Sequence, residues 1–390
     1  MWSELLVLRA FPGQVLLVRV ADGRVRTLVE DAGAFPDGVV VESGTVYWTT
    51  MGTPVIDPGT PGEAGQDFSR RNGGVHAVSL DGGPVRDLVP RGAITTGKQL
   101  TCDRAGSLYW GDREGRRVSR VGTDGGGPTD LVVNPPGDGI LGECVGVAVD
   151  PVHGHVYWTQ KGPAKGGRGR ILRAGLDVPP GESAERRSDV EVLWSGLPEP
   201  IDLHLAGDRL YWTDRGAPPA GNTLNRAAVP APGEPGRAPE ILATGFQEAI
   251  GLAVDAEARL AYVSDLGGRV RAVPLSGGPA ASREEREIVA LPFPLTGLAG
   301  VGRAGHATPR PPDRPVRRRS HRWSGHREPL ALLPGTPGDA VVELEDRVDA
   351  AAVTGRRAAR RGRLRCAGGE CLGAGNGSGP EPVVRAPKPA

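Results

Sequence analysis

Two sets of positions in this 390-residue sequence carry side chains able to do chemistry. Asp112-Arg113, Gln160-Lys161 and Asp214-Arg215 each end a short Tyr-Trp run. Asp37, Lys98-Gln99, Glu143-Cys144, Glu199 with Asp202, Glu248 and Thr296 each lead into an apolar run. If these points meet, Lys98, Arg113, Lys161 and Arg215 can hold an anionic small molecule, with Glu199 or Glu248 as general acid or base. Glu199, Lys161 and Arg113 are then the catalytic candidates, and Lys98, Gln99, Gln160, Arg215, Glu143 and Glu248 the ligand-binding ones. Nearby cations would tune the carboxyl pKa. A second chemistry is open to the acids. Asp37, Glu143, Glu199 and Glu248 could bind Ca²⁺ or another hard cation, which takes several oxygen ligands and polarises an ester carbonyl. A Ser/His/Asp set is not evident, since His153 and His155 sit in a turn and His204 inside an apolar run. No G-x-G-x-x-G follows a strand, and no βαβ alternation offers a helix N-terminus to a pyrophosphate, so no NAD site is expected.

Residues this far apart meet only if a repeating architecture gathers them, and the repeat is present. All five Tyr occur in one context: Val46-Tyr47-Trp48-Thr49, Leu108-Tyr109-Trp110-Gly111-Asp112, Val156-Tyr157-Trp158-Thr159, Leu210-Tyr211-Trp212-Thr213-Asp214 and Ala261-Tyr262-Val263-Ser264-Asp265. An apolar run ending near an acid precedes each, as in Gly146-Val147-Ala148-Val149-Asp150 and Gly251-Leu252-Ala253-Val254-Asp255. A third run follows, such as Ile171-Leu172-Arg173-Ala174, and a fourth closes the unit, as at 85–89 and 190–193. Short β-rich runs between turn residues, repeating about every 50 residues, describe four-stranded antiparallel blades. At the N-terminus, 5–8, 16–20 and 25–29 match second, third and fourth strands without a first; Thr296-Gly297-Leu298-Ala299-Gly300 supplies it. The expected fold is therefore all-β, a six-bladed β-propeller closed by its C-terminal strand joining the N-terminal blade, which protects the sheet edges. In it the loops after second strands and those entering first strands open on one face. Segments 52–74 and 161–170 would wall or cover that mouth.

Composition agrees. The chain has 60 Gly and 37 Pro, about a quarter of all residues, which opposes a helical fold. Charge is uneven: 304–390 holds 15 Arg and one Lys against nine acids, or +7, leaving −6 for the rest of a chain whose net charge is +1. All Tyr, Phe and Ile lie before 304. The expected domains are thus a propeller over 1–303 and a basic Arg/Pro/Ala-rich tail over 304–390, which buries too little to offset chain entropy and is mostly disordered. Its run Val316-Arg317-Arg318-Arg319-Ser320-His321-Arg322 allows at most weak nucleic-acid binding through phosphates; a shifted reading frame in GC-rich DNA would give the same composition. Cys366 and Cys371 lack a second ligand pair for zinc. No run nears the ~18 apolar residues of a membrane span, and the first 13 residues do not read as a secretory signal. A cytoplasmic monomer is expected.

The repeated motifs resemble the YWTD-repeat β-propellers, the six-bladed class seen in low-density-lipoprotein receptors, over residues 3–301. The resemblance implies that the motif acids Asp112, Asp214 and Asp265 serve structure, with Thr50 and Gln160 in the corresponding places of two blades. It implies that the aromatics hold neighbouring blades together; a Tyr or Trp burying 150–250 Å² contributes ~4–6 kcal/mol gross. Cys102 and Cys144 read as small core residues, and Arg120, Arg173 and Arg226 as interblade hydrogen-bond donors. The stretches Gly97-Lys98-Gln99-Leu100, Asp112-Arg113-Glu114-Gly115, Tyr157-Trp158-Thr159-Gln160-Lys161-Gly162 and Leu197-Pro198-Glu199-Pro200-Ile201-Asp202 are similar to a group of intracellular microbial YWTD proteins, here expected to be bacterial. Its members often carry a 3-hydroxyacyl-CoA dehydrogenase label, for which the residues supply no physical basis. Gly111 stands where that group usually has Cys. The metal reading resembles the lactonase propellers, although the Asn ligands typical of those enzymes are missing from the first-strand positions. Small-molecule recognition at the mouth, with lactonase- or lyase-like acid/base or metal-assisted catalysis, is the leading functional expectation. The alternative is a non-catalytic scaffold binding a protein on its loop face.

Overall fold

Alternating Val, Leu, Tyr and Trp side chains, cut by Gly turns, produce strands of four to nine residues in a computed structural model that describes residues 1–275 and 284–302. They assemble into six four-stranded antiparallel sheets. Taken from first strand to fourth, blade 1 is Leu295–Gly302, Trp2–Arg9, Gln14–Arg19 and Val25–Val29. Blade 2 is Pro36–Glu42, Thr45–Thr50, Gly73–Ser79 and Arg86–Ile94, and blade 3 is Gly97–Cys102, Ser107–Asp112, Arg117–Gly122 and Thr129–Val133. Blade 4 is Cys144–Asp150, His155–Gln160, Gly169–Gly175 and Glu191–Leu197. Blade 5 is Pro200–Ala206, Arg209–Asp214, Thr223–Ala228 and Glu240–Ala243; blade 6 is Ala249–Asp255, Leu260–Asp265, Arg269–Pro274 and Arg286–Ala290.

The expected closure is observed. Leu295–Gly302 pairs antiparallel with Trp2–Arg9, with Leu6 opposite Ala299 and Val7 opposite Leu298. The outer strands of blades 2 and 4 run further than the sequence suggests, to Ile94 and Leu197. The tail 304–390, with its expected disorder and its Arg run, lies outside the described residues. Among the described residues no helix is long and apolar enough to cross a membrane.

Packing between blades follows from the strand period of two. Adjacent residues of a strand point to opposite faces, so Tyr and Trp of one motif enter different interblade cores. Tyr47 packs with Trp110 of the next blade, Tyr109 with Trp158, and Tyr157 with Trp212. Tyr211 meets Val263, and Tyr262 meets Leu5 and Val7 of blade 1, closing the cycle. The four motif Trp side chains are essentially inaccessible. Beside them the motif hydroxyl ties three strands: Thr159 Oγ1 accepts from Gly146 N at 2.7 Å and donates to Ile201 O of the next blade at 2.8 Å. Thr49 and Thr213 repeat that pattern. Blade 3 has Gly111 there because a Cβ would lie 2.6 Å from Val145 O.

Candidate functional site

The mouth begins with a bulge common to all six first strands. Between Leu295 and Leu298, Pro36 and Val39, Gly97 and Leu100, Cys144 and Val147, Pro200 and Leu203, and Ala249 and Leu252, each carries one residue more than its partner strand. A bulge re-aims the side chains within it. The second residues of these strands are Thr296, Asp37, Lys98, Val145, Ile201 and Ile250, and Thr296 Oγ1 donates to Pro36 O at 2.7 Å. Lys98 Nζ meets Asp37 Oδ1 at 2.6 Å, and Gln99 Nε2 donates to Asp37 Oδ2 at 3.0 Å. On the other side Val145, Ile201 and Ile250 form one apolar cluster, with Leu266 packed on it. The throat is therefore polar over blades 1 to 3 and aliphatic over blades 4 to 6.

Third positions are Gly in blades 1, 2, 4 and 6, because a Cβ on Gly297, Gly38, Gly146 or Gly251 would lie 2.3, 2.4, 2.2 or 2.4 Å from the next blade's backbone. Gln99 and Asp202 replace that Gly in blades 3 and 5. Asp202 accepts from the backbone N–H of Leu203 and Leu252, each at 2.8 Å. Burial outweighs those bonds and pushes its carboxyl up to about 8.

Above the throat, the residue after each second strand forms the rim: Met51, Arg113, Lys161, Arg215 and Leu266 in blades 2 to 6. The motif acids turn this corner. Asp112 accepts from Thr95 N, Thr96 N and Gly115 N, and Asp214 from Glu199 N and Gly216 N. Both acids serve structure as expected, and burial raises the Asp214 carboxyl to about 6. Gln160, in the same place of blade 4, keeps its Oε1 unpaired among the described residues and lies against Cys144.

The rim cations are buried, each less than a tenth exposed, and every one faces carboxylates. Arg113 binds Glu114 through Nε at 2.8 Å and Nη2 at 2.6 Å. Lys161 Nζ lies 3.6 Å from Glu143 Oε2 and donates to Gly162 O. Arg215 Nε donates to Glu199 Oε1 at 2.8 Å, while its Nη1 lies 3.6 Å from Glu248 Oε2. Glu199 is inaccessible, and its second oxygen accepts from Lys165 N at 2.9 Å. It therefore holds Arg215 and the 161–168 loop in place. Burial raises the Glu143 carboxyl, with Lys161 opposing, and Glu143 remains partly accessible.

One carboxylate at the centre was not legible in the sequence. The segment entering blade 2's third strand forms a small ribbon, Val55–Ile56 against Gln66–Asp67, joined by a 3-10 turn at Glu63–Gly65. Its base is fixed: Phe68 is buried, edge-on to Phe35 and under Arg113, and Thr96 Oγ1 donates to Phe68 O. Its turn delivers Glu63 to Arg215, whose Nη1 and Nη2 reach the two carboxylate oxygens at 3.0 and 3.1 Å. Arg113 Nη1 stands 3.8 Å away. Burial disfavours the charge on Glu63, but Arg215, Arg113 and Lys98 overcome it and bring the carboxyl down to about 2.

The candidate cations thus come together as expected. The four acids considered for a hard cation do not: Asp37 turns to Lys98, Glu143 to Lys161, Glu199 to Arg215, and Glu248 to Arg215 and Lys165. Among the described residues no group of three or more His, Cys, Asp or Glu is arranged for a metal ion. Cys102 and Cys144 are unpaired core residues whose thiols burial pushes up. Arg120 and Arg173 donate across blades, to Leu176 O and Pro230 O. Arg226 corrects the expectation, pairing with Glu240 of its own blade because that outer strand lies opposite it. Glu63 and Glu114 are mouth residues that repeat reasoning missed; Glu63 sits on an insertion, which has no register with the repeat.

No family model matches the chain. A protein of Pyricularia oryzae named low-density lipoprotein receptor-related protein 1 is 39% identical over 286 residues, covering 68% of this chain and 86% of that protein. The chain belongs to the YWTD-repeat, low-density-lipoprotein-receptor-type propeller family. A second YWTD relative, 3-hydroxyacyl-CoA dehydrogenase-like protein LAM1 of Cochliobolus heterostrophus, is 37% identical over 283 residues; the match spans 68% of this chain and 56% of that protein. These relatives are fungal, where bacterial ones were expected. A chain in the crystal structure of the nidogen/laminin complex overlays 76% of this propeller and 97% of its own length, with a TM-score of 0.54 and 18% identity. At that identity the likeness is one of fold.

Proposed function

We propose that the propeller mouth recognises an anionic small molecule, and that Glu143 beside Lys161 supplies acid–base catalysis of the lactonase or lyase type. The observation that carries this reading is the gathering of Lys98, Arg113, Lys161 and Arg215, all buried, from blades 3 to 5 at one opening. Buried cations cost desolvation that a fold does not need to incur, whereas an anion-binding site does need them. Glu143 suits the proton-transfer role because it stays partly accessible beside Lys161, and burial raises its carboxyl above the ordinary carboxylate value.

The test is calorimetric titration with carboxylates, phosphates and lactones, with and without Ca²⁺ or Mn²⁺, on the full chain and on Arg113→Ala and Lys161→Ala. Binding in the wild type that weakens at least tenfold in both variants supports the reading; indifference of every response to both substitutions ends it. Glu143→Gln should retain binding and lose turnover of any lactone processed.

A protein partner is the second reading, favoured by Val55 and Ile56, which lie 38% and 59% exposed on the blade 2 ribbon. It predicts a partner retained by the purified chain and lost on removing residues 54–66.

A further inference from the structure

The two guanidiniums of the mouth divide their donors in the same way. Arg215 spends Nε on Glu199 of its own blade and aims Nη1 and Nη2 end-on at Glu63. Arg113 spends Nε and Nη2 on its neighbour Glu114 and leaves Nη1 toward Glu63. Each has a carboxylate hydrogen-bonded to its Nε, Arg215 has Glu248 3.6 Å from Nη1 as well, and the two share Glu63, which arrives on a loop. That loop starts in blade 2 and reaches blade 5, three blades away in a ring of six. Between residues 54 and 65 the hydrogen bonds found among the described residues stay within the ribbon, those of Glu63 excepted. The Glu63 side chain is half exposed, and Gly65 is the buried residue of its turn. The tip therefore hangs on the body by one carboxylate, while the base is held by Phe68.

We propose that Glu63 is a built-in surrogate for the ligand's own carboxylate, and that the ligand is a monocarboxylate which displaces the Glu63 turn from the Arg215 fork. This deepens the anion-binding reading and rests on it. Charge selects the class. The fork is the planar two-pronged geometry that fits a carboxylate or a phosphate alike. Exchange of one monoanion for another leaves the local charge unchanged, whereas a phosphate dianion adds negative charge beside Glu199, Glu248 and Glu114. A tethered competitor acts at an effective concentration in the millimolar range, so it weakens the apparent affinity for a free ligand in proportion to the time it occupies the fork.

The experiment titrates acetate, benzoate and inorganic phosphate into the full chain, Glu63→Ala and Glu63→Gln at pH 7 and constant ionic strength. Glu63→Gln keeps the bulk of the turn and guards against its collapse. Benzoate and acetate should bind both variants at least tenfold more tightly than the wild type, and more tightly than phosphate does. Adding Arg215→Lys, which retains a charge beside Glu199 but loses the fork, should reverse that gain. Equal carboxylate affinity with and without Glu63 overturns the surrogate role and leaves the anion-binding reading standing. Phosphate binding tighter than carboxylate overturns the ligand class. Absence of anion binding in all three proteins overturns both.

Discussion

Blades 3 to 5 and blades 2 and 6 use the same rim position in opposite ways. The residue after the second strand is Arg113, Lys161 or Arg215 in the first group, and Met51 or Leu266 in the second. The strands beneath are alike in length, bulge and register. Backbone geometry therefore does not demand a cation there. The repeat supplies six equivalent places, and chemistry has been installed on one side of the mouth only. The throat below divides similarly but not along the same line, with Asp37 and Lys98 facing Val145, Ile201 and Ile250.

The largest test of this contrast is truncation at matched places. Arg215→Ala leaves Glu199 fully buried without its guanidinium, and removing one partner of a buried pair costs about 3–5 kcal/mol. Leu266→Ala, partly buried at the equivalent place, should cost about 1 kcal/mol. Equal losses by chemical denaturation would show that the two sides do not differ. A smaller contrast separates motif positions. Asp214→Ala strands the N–H groups of Glu199 and Gly216 and should cost about 2–3 kcal/mol. Gln160→Ala removes an amide whose Oε1 is already unpaired and should cost less than about 1 kcal/mol beyond its packing.

Titration sharpens the comparison further. Asp202 has its folded pKa raised to about 8, above its unfolded value, so its contribution is fully present below about pH 4 and is lost as pH rises to 8. Asp202→Asn should therefore flatten the fall in stability over that window, read from denaturation midpoints at successive pH values. Glu63 has the opposite sign. Its folded pKa is about 2, so its contribution is present above about pH 4.5 and is lost as pH falls toward 2. Because that side chain is half exposed, solvent screening limits the effect to about 1 kcal/mol. Glu63→Gln should remove this acid dependence and leave the Asp202 window intact.

Much of the ring was legible beforehand. Tyr47, Tyr109, Tyr157, Tyr211 and Tyr262 mark the second strand in blades 2 to 6, and the missing first strand of blade 1 announced Leu295–Gly302 as its closure. The mouth was legible only as a list. Arg113 and Lys161 could be placed at one opening because their spacing from the Tyr-Trp motif is constant. That Glu199 is locked between Arg215 and Lys165, while Glu143 stays accessible, depends on side-chain directions that no period encodes.

The chain by itself determined which segments become strands, how many blades form and where the ring closes. Those follow from alternation and turn residues, whose influence reaches a few positions along the backbone. Only the tertiary structure decided that Glu63 would rest on Arg215, 152 residues later, and that the four acids would turn to cations and not to one another. Ion pairing depends on distance in space and on exclusion of water, and circular closure sets both.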